Sequence, residues 1–271
     1  MEKNVSRRSF LGAAGAVAAG SALAMPLVGV AAEAPEEGYE ISEELDCDVV
    51  VAGAGISGLA AAVEAANKGA SVILLEKLGT VGGNGNITCG PSGFDTKYSK
   101  AAGVEYDWRE AVIEDQRMFN YIPNIQYYID MAKASSDNID WCVEQGVVIS
   151  DVVDDYKGGN DTMHYWGADG GHIKEDGSRI SNGTEYTFPM EKRATDLGVR
   201  IMYSTPAVDL VMDGPAVAGV IAQAEDGSYL QINAKGVILA TGGICANDEL
   251  MAKIGRVDTT VSTYTFCKGC T

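Results

Sequence analysis

The sequence predicts an α/β fold: a parallel sheet at the centre, a β-meander beside it and a helical insertion between. Three stretches predict it. "CDVVVAGAGISGLAAAVEAANKGASVILLEK", Cys47 to Lys77, reads strand, glycine turn, helix, strand. Asp107–Phe119 and Pro123–Gln145 carry apolar residues at mixed three and four spacing, the mark of helices. "AVDLVMD", "AVAGVIAQAED" and "SYLQINAKGVILATGG" near the end read as consecutive strands.

The chain opens with a label. Arg7 and Arg8 head a short basic region, and the run from Phe10 to Ala32 is uncharged and rich in Ala and Gly. This is the layout of a twin-arginine signal peptide over residues 1–32, with a cleavage site at Val30-Ala31-Ala32. The competing reading is a membrane anchor. The run is long enough, but its small residues give little hydrophobicity and Pro26 interrupts it, so no stable membrane insertion is expected after cleavage. Residues 33–45 read as an acidic linker and 46–271 as the folded domain.

Charge narrows the partners. The 271 residues carry a formal charge of −18, and cleavage would remove Glu2, Lys3, Arg7 and Arg8, leaving the rest more acidic still. Such a surface repels phosphate backbones, which excludes nucleic acid as a partner. Six cysteines are scattered, so the chain is no disulfide scaffold. Cys267 and Cys270 form C-x-x-C, but Thr271 stands where c-type haem attachment needs His. With only His164 and His172 available, no metal site is expected.

The glycine turn carries the chemistry. Asp48 to Ala52 is apolar and β-branched, as a buried parallel strand requires. Gly53-Ala54-Gly55-Ile56-Ser57-Gly58 follows as G-x-G-x-x-G, Ala60 to Lys68 continues as a helix, and Gly69 closes it. Gly53 permits the tight turn, Gly55 lets a pyrophosphate approach the main chain, and Gly58 lets helix pack on strand. The helix N-terminus offers N–H groups and partial positive charge to the phosphates. Ser71 to Leu75 is a second strand ending at Glu76, placed to accept hydrogen bonds from ribose hydroxyls and to repel a 2′-phosphate. A dinucleotide is therefore expected, and NADP is disfavoured. The double glycine pattern that follows favours a flavin over NAD: Gly82, Gly83, Gly85 and Gly90 sit among small polar residues directly after the strand.

The middle is less informative. Ser150 to Gly183 reads as loop, and His164, Trp166 and His172 within it are candidates for a substrate mouth. A helix is expected over Thr187–Leu197, its start confined by Pro189, with Gly198 as cap and a strand over Val199–Tyr203. Asp226-Gly227 is a hairpin turn. Val237–Ala240 is expected as another buried strand, leading to a close turn at Thr241-Gly242-Gly243 and a helix beginning near Asn247.

In this order the motifs become specific. With Glu76-Lys77 followed by Gly82-Gly83-Asn84-Gly85, and with "VILATGG" near the end, the chain resembles the Rossmann-like FAD-binding domain of the fumarate reductase flavoprotein family, which includes ketosteroid dehydrogenases and urocanate reductases. The resemblance runs from about Cys47 to the last residue. It implies FAD as cofactor. It implies that Lys77, Asn84 and Gly85 lie along the FAD pyrophosphate and ribityl chain, and that Cys89 and Gly90 run past the flavin ring. It places the main chain near Ala207 against the adenine and that of Ala240, Thr241 and Gly242 against the dinucleotide.

The same resemblance places the family's catalytic arginines and histidine in a capping domain beyond Thr271, so the chain reads as an FAD-binding domain incomplete at its C-terminus. Arg193, Arg200 and Arg256 earn no role from being arginines. The implied activity is hydride transfer to or from a C–C bond conjugated to a carbonyl or carboxylate. A small unsaturated acid or enone would be the substrate and a separate protein the electron donor. The alternative is a non-catalytic flavin-binding electron carrier.

Overall fold

A computed structural model describes residues 38–104, 106–154, 162–167 and 183–243. The chain divides into two units, residues 1–84 with 191–271, and residues 85–190.

The first unit holds a six-stranded sheet. Its strands are β1 (Ile41–Ala52), β2 (Val72–Leu75), β5 (Arg200–Met202), β6 (Ala207–Asp213), β7 (Ala216–Gln223) and β8 (Tyr229–Leu239), in the order β5-β2-β1-β8-β7-β6. The four strands from β5 to β8 are parallel, and β7 and β6 add antiparallel to them. Helix α1 (Ile56–Asn67) makes the crossover from β1 to β2. It buries Gly58, Leu59, Ala62 and Val63, while the exposed Glu64 and Lys68 pair at its end. Gly69, at φ +84°, ends it in the left-handed conformation that residues with a Cβ avoid. One core of the sheet is Val50, Ile73, Leu75, Val220, Ala222 and Ile232.

Polar residues set the register at the strand starts. Asp48 Oδ2 accepts hydrogen bonds from Ser71 N and Oγ, at 2.8 and 2.7 Å, and its Oδ1 meets Lys235 Nζ at 2.6 Å. These side chains align β1, β2 and β8 at one end, and the lysine with the serine donors holds the carboxyl of Asp48 well below the usual range.

Three expectations change here. β1 begins at Ile41, inside the acidic stretch, because Ile41 to Leu45 pair with the start of β8 and Tyr39 packs edge-on to Tyr229 at 4.8 Å. Val237 to Leu239 are the end of β8, not a separate strand. Nor is that end buried: Ile238 and Leu239 are 38 % and 49 % exposed, since no described element covers that face. The 224–228 turn joins β7 to β8 as expected, with Gly227 at φ +90°.

The second unit contains α2 (Lys97–Ala102), α3 (Trp108–Met118), α4 (Ile125–Glu144) and a two-stranded sheet of β3 (Ile149–Asp154) and β4 (Thr162–Trp166). Helix α5 (Thr184–Asp196) returns the chain to the first unit. Asp107 and Asn124 cap α3 and α4 with their side chains, as short polar residues do. The α3–α4 pair closes over Phe94, Ala111, Val112 and Ala132.

Two more expectations fail in this unit. The stretch read as loop contains the β3–β4 hairpin. Its strands are short, and the residues between them are polar and glycine-rich, which hid the alternation. Helix α5 starts at Thr184 and continues through Pro189. Proline removes one hydrogen bond and crowds the preceding turn, yet buried Tyr186, Thr187, Met190 and Ala194 on both sides of it hold the helix in place.

Candidate cofactor-binding site

The glycine loop leaves β1 through a close approach. Gly53 N donates to Leu75 O at 2.8 Å and the residue takes φ +103°. A Cβ on Gly53 would lie 2.4 Å from Ala240 O, and one on Gly58 would lie 1.7 Å from Gly53 O and 3.2 Å from the Ala240 methyl. Ala240 N in turn donates to Ala52 O at 2.8 Å. Gly53, Gly58 and Ala240 therefore lock together with no room for larger side chains, joining the start of α1 to the end of β8. Gly55 differs: its Cβ would meet nothing nearer than Gly82 O at 3.7 Å.

That open side is the N-terminus of α1. Gly55 caps the helix without a side-chain cap hydrogen bond, and no acidic residue stands in the first turn. The partial positive charge of the helix N-terminus therefore meets no carboxylate from its own first turn. The next glycine pair docks beside it. Gly82 N donates to Ala54 O at 2.8 Å, Gly55 and Gly82 form a parallel bridge, and Gly82 and Gly83 both take positive φ. Ala54 is fully buried, while on the helix start Ile56 is half-buried and Ser57 exposed.

Glu76 closes the other side. It is 5 % exposed; Oε2 accepts Ala54 N at 2.8 Å and Oε1 accepts Leu78 N at 2.9 Å. Thr205 N donates to the Glu76 carbonyl at 2.8 Å, which brings the segment leading to Ala207 alongside. Burial raises the carboxyl of Glu76 above the ordinary range, and the two N–H donors and Lys77 offset this only in part. The folded state thus holds this proton more tightly than the unfolded chain. Stability from this group is full below about pH 4.3, the unfolded value, and is lost as pH rises through the raised folded value. The expected result is a melting temperature whose slope across that window flattens in Glu76→Gln. Equal slopes in the two proteins would refute it.

The remaining candidates divide between the units. Lys77 follows Glu76, and Asn84 ends the first stretch of the first unit. Ala207 pairs with Ala222 at the start of β6. Thr241 and Gly242 are exposed, Gly242 with φ +79°. Gly85, Cys89 and Gly90 belong to the second unit. There Gly85 O accepts Thr88 N and Oγ1, Cys89 O accepts Trp166 N at 3.2 Å, and Gly90 lies against His164 O, where a Cβ would be 1.7 Å away.

His164 is no mouth residue: it is fully buried, with Nε2 2.7 Å from Thr96 Oγ1. Trp166 is buried too, against Tyr186 with ring centroids 5.0 Å apart. His172, Arg256, the helix expected near Asn247 and the C-x-x-C pair lie outside the described residues. The clasp of Glu76 on Ala54 and Leu78 was missed at the sequence level, because main-chain donors leave no signature in residue type. No group of three or more His, Cys, Asp or Glu among the described residues could hold a metal.

A helix N-terminus with no acidic residue in its first turn, a glycine with an open side and a buried carboxylate at the next strand end suit a dinucleotide. Comparison with known proteins agrees. The FAD binding domain family model matches residues 48–269. The NADH:fumarate oxidoreductase of Klebsiella pneumoniae is 28% identical over 225 residues, 81% of this chain and 23% of that protein. The vinyl phenol reductase of Lactiplantibacillus plantarum is 33% identical over 215 residues, 78% of this chain and 41% of the relative. Among solved structures, the open conformation of a flavocytochrome c3 fumarate reductase aligns with a TM-score of 0.68 at 27% identity, over 79% of this chain and 36% of that one. The chain thus spans from under a quarter to about two-fifths of the length of these proteins. It belongs to the FAD binding domain family, among the relatives of the fumarate reductases, and its cofactor is FAD.

Proposed function

We propose that the protein is an exported FAD-dependent oxidoreductase that reduces or forms a C–C double bond conjugated to a carbonyl or carboxylate. The observation that carries this reading is the N-terminus of α1, with the open side of Gly55 as its cap and no acidic residue in its first turn. When bound, FAD supplies the hydride chemistry, and the chain supplies position and electrostatics. The main chain of Gly53–Gly58 and the positive end of α1 would hold the pyrophosphate. Held by the N–H groups of Ala54 and Leu78, the Glu76 carboxylate would turn its remaining acceptor capacity to ribose hydroxyls. Gly53, Gly58 and Ala240 hold this cradle rigid.

The names of the relatives support the substrate class. Alongside the fumarate and vinyl phenol reductases stand a urocanate reductase of Eggerthella lenta and an acrylate reductase flavoprotein subunit of Shewanella woodyi. Fumarate, urocanate and acrylate share a double bond conjugated to a carboxylate. The test is anaerobic: protein loaded with FAD and reduced by dithionite is reoxidised by such acids or by enones, and not by isolated alkenes. Equal rates with both classes, or reoxidation only by a protein acceptor as an electron carrier would show, would overturn the reading. Arg7 and Arg8 support export in the folded, loaded state. Cell fractionation would show precursor retained in the cytoplasm when both become lysine; unaltered export would refute that part.

A further inference from the structure

The α3–α4 pair ends in an apolar tip that the cofactor site does not explain. From Met118 to Ile129 the sequence reads MFNYIPNIQYYI, twelve residues without a charge in a chain that is 21% charged. Met118, Phe119, Tyr121, Ile122, Ile125 and Tyr127 are 57, 48, 67, 84, 48 and 68 % exposed. The core-facing stripes of the two helices run on past their buried stretches. Phe119 continues the stripe of Val112 and Gln116, and Ile125 that of Tyr128 and Ala132, so the helices bring apolar rows to a tip that no element among the described residues covers. The turn holds these side chains outward at a cost. Asn120 and Tyr121 both take positive φ, and Tyr121 N reaches back to Gln116 O at 2.7 Å.

We infer that this tip is an isologous interface that joins two copies of this chain. Area and charge select that occupant. At about 200 Å² for a large side chain, the six residues expose on the order of 700 Å², close to what each partner contributes to a standard interface. The rim is mixed in sign. Arg117 pairs with Glu114 at 2.5 Å on α3, while on α4 Asp130 accepts Gln126 Nε2 and Lys133 lies over the Trp108 ring. A basic partner would select an acidic rim, and an anionic bilayer a basic one. A rim that carries both signs, Glu114, Asp115 and Asp130 against Arg117 and Lys133, around an uncharged centre can meet itself under a two-fold axis. It is also a face on which two copies, each with net charge −18, can approach with little repulsion.

The experiment is sedimentation equilibrium of the full chain with and without Ile122→Glu. Ile122 is the most exposed of the six, so the variant keeps its fold, checked by circular dichroism and FAD binding. The expected result is a wild-type dimer with a dissociation constant in the ~µM range and a variant weakened more than ~100-fold. A second measurement uses Ile122→Cys under mild oxidation, where a covalent dimer absent from the wild type is expected. A monomer at ~100 µM, a variant that stays dimeric, no additional cross-link, or a wild type that binds zwitterionic vesicles as a monomer would each overturn the inference.

Discussion

A Gly55→Val chain keeps its fold and loses its FAD. Gly55 sits at φ −74°, ψ −170°, extended backbone that valine adopts without strain. The nearest atom to an added Cβ is Gly82 O at 3.7 Å, an ordinary contact, so nothing in the protein must move. What changes is the open side. Two methyl groups stand at the N-terminus of α1, where a pyrophosphate must come within hydrogen-bonding distance. An affinity loss of at least about 100-fold, some 2.7 kcal/mol, is expected in a titration of apo-protein with FAD, with a melting temperature close to that of wild type. Unchanged affinity would remove the pyrophosphate from this loop and the redox assignment with it.

Gly58→Ala does the opposite, acting on the fold first. Its methyl would sit 1.7 Å from Gly53 O, in a residue whose N–H is held by Leu75 O, and 3.2 Å from the Ala240 methyl. No side-chain rotation relieves that, so α1 must lift from the sheet and expose Leu59, Ala62 and Val63. Overpacking against backbone of this kind costs about 3 kcal/mol or more. That is a large part of a typical total of roughly 5–15 kcal/mol, and corresponds to a fall of roughly 10 °C in melting temperature. Thermal unfolding of the apo-protein checks it. A variant melting within a degree or two of wild type would mean that the close packing is not what holds α1. The pair is informative together, since one glycine serves the ligand and the other serves the fold three residues away.

What the sequence discloses follows from how local each feature is. The β1–α1–β2 unit was legible because a glycine turn between an apolar run and a helical pattern has few other uses. Gly53 and Gly58 leave no space for a Cβ, and the residue that both approach, Ala240, lies far along the chain and could not be named in advance. The β3–β4 hairpin was not legible: its strands are short and its alternation is broken by a register shift between Ile149 and Asp151. Helix α5 was shortened by the weight given to Pro189, when burial on both sides overrides one lost hydrogen bond. The exposed end of β8 went unforeseen because an apolar run says what a strand can bury and not what is there to cover it. His164 shows the same limit, as a histidine in a polar stretch proved to be a core residue held by Thr96.

The contact of Ala240 with Gly53 and Gly58 has a consequence for biosynthesis. β1 pairs with β8 across an interval of roughly 190 residues, about ten seconds or more of translation, and until β8 arrives the strand beside the glycine turn has an empty flank. A ribosome-bound chain that has emerged only as far as α5 has every residue of the G-x-G-x-x-G loop and no wall to set it against. Cofactor capture is then a late event in the life of the nascent polypeptide, timed by the exit of its meander from the tunnel.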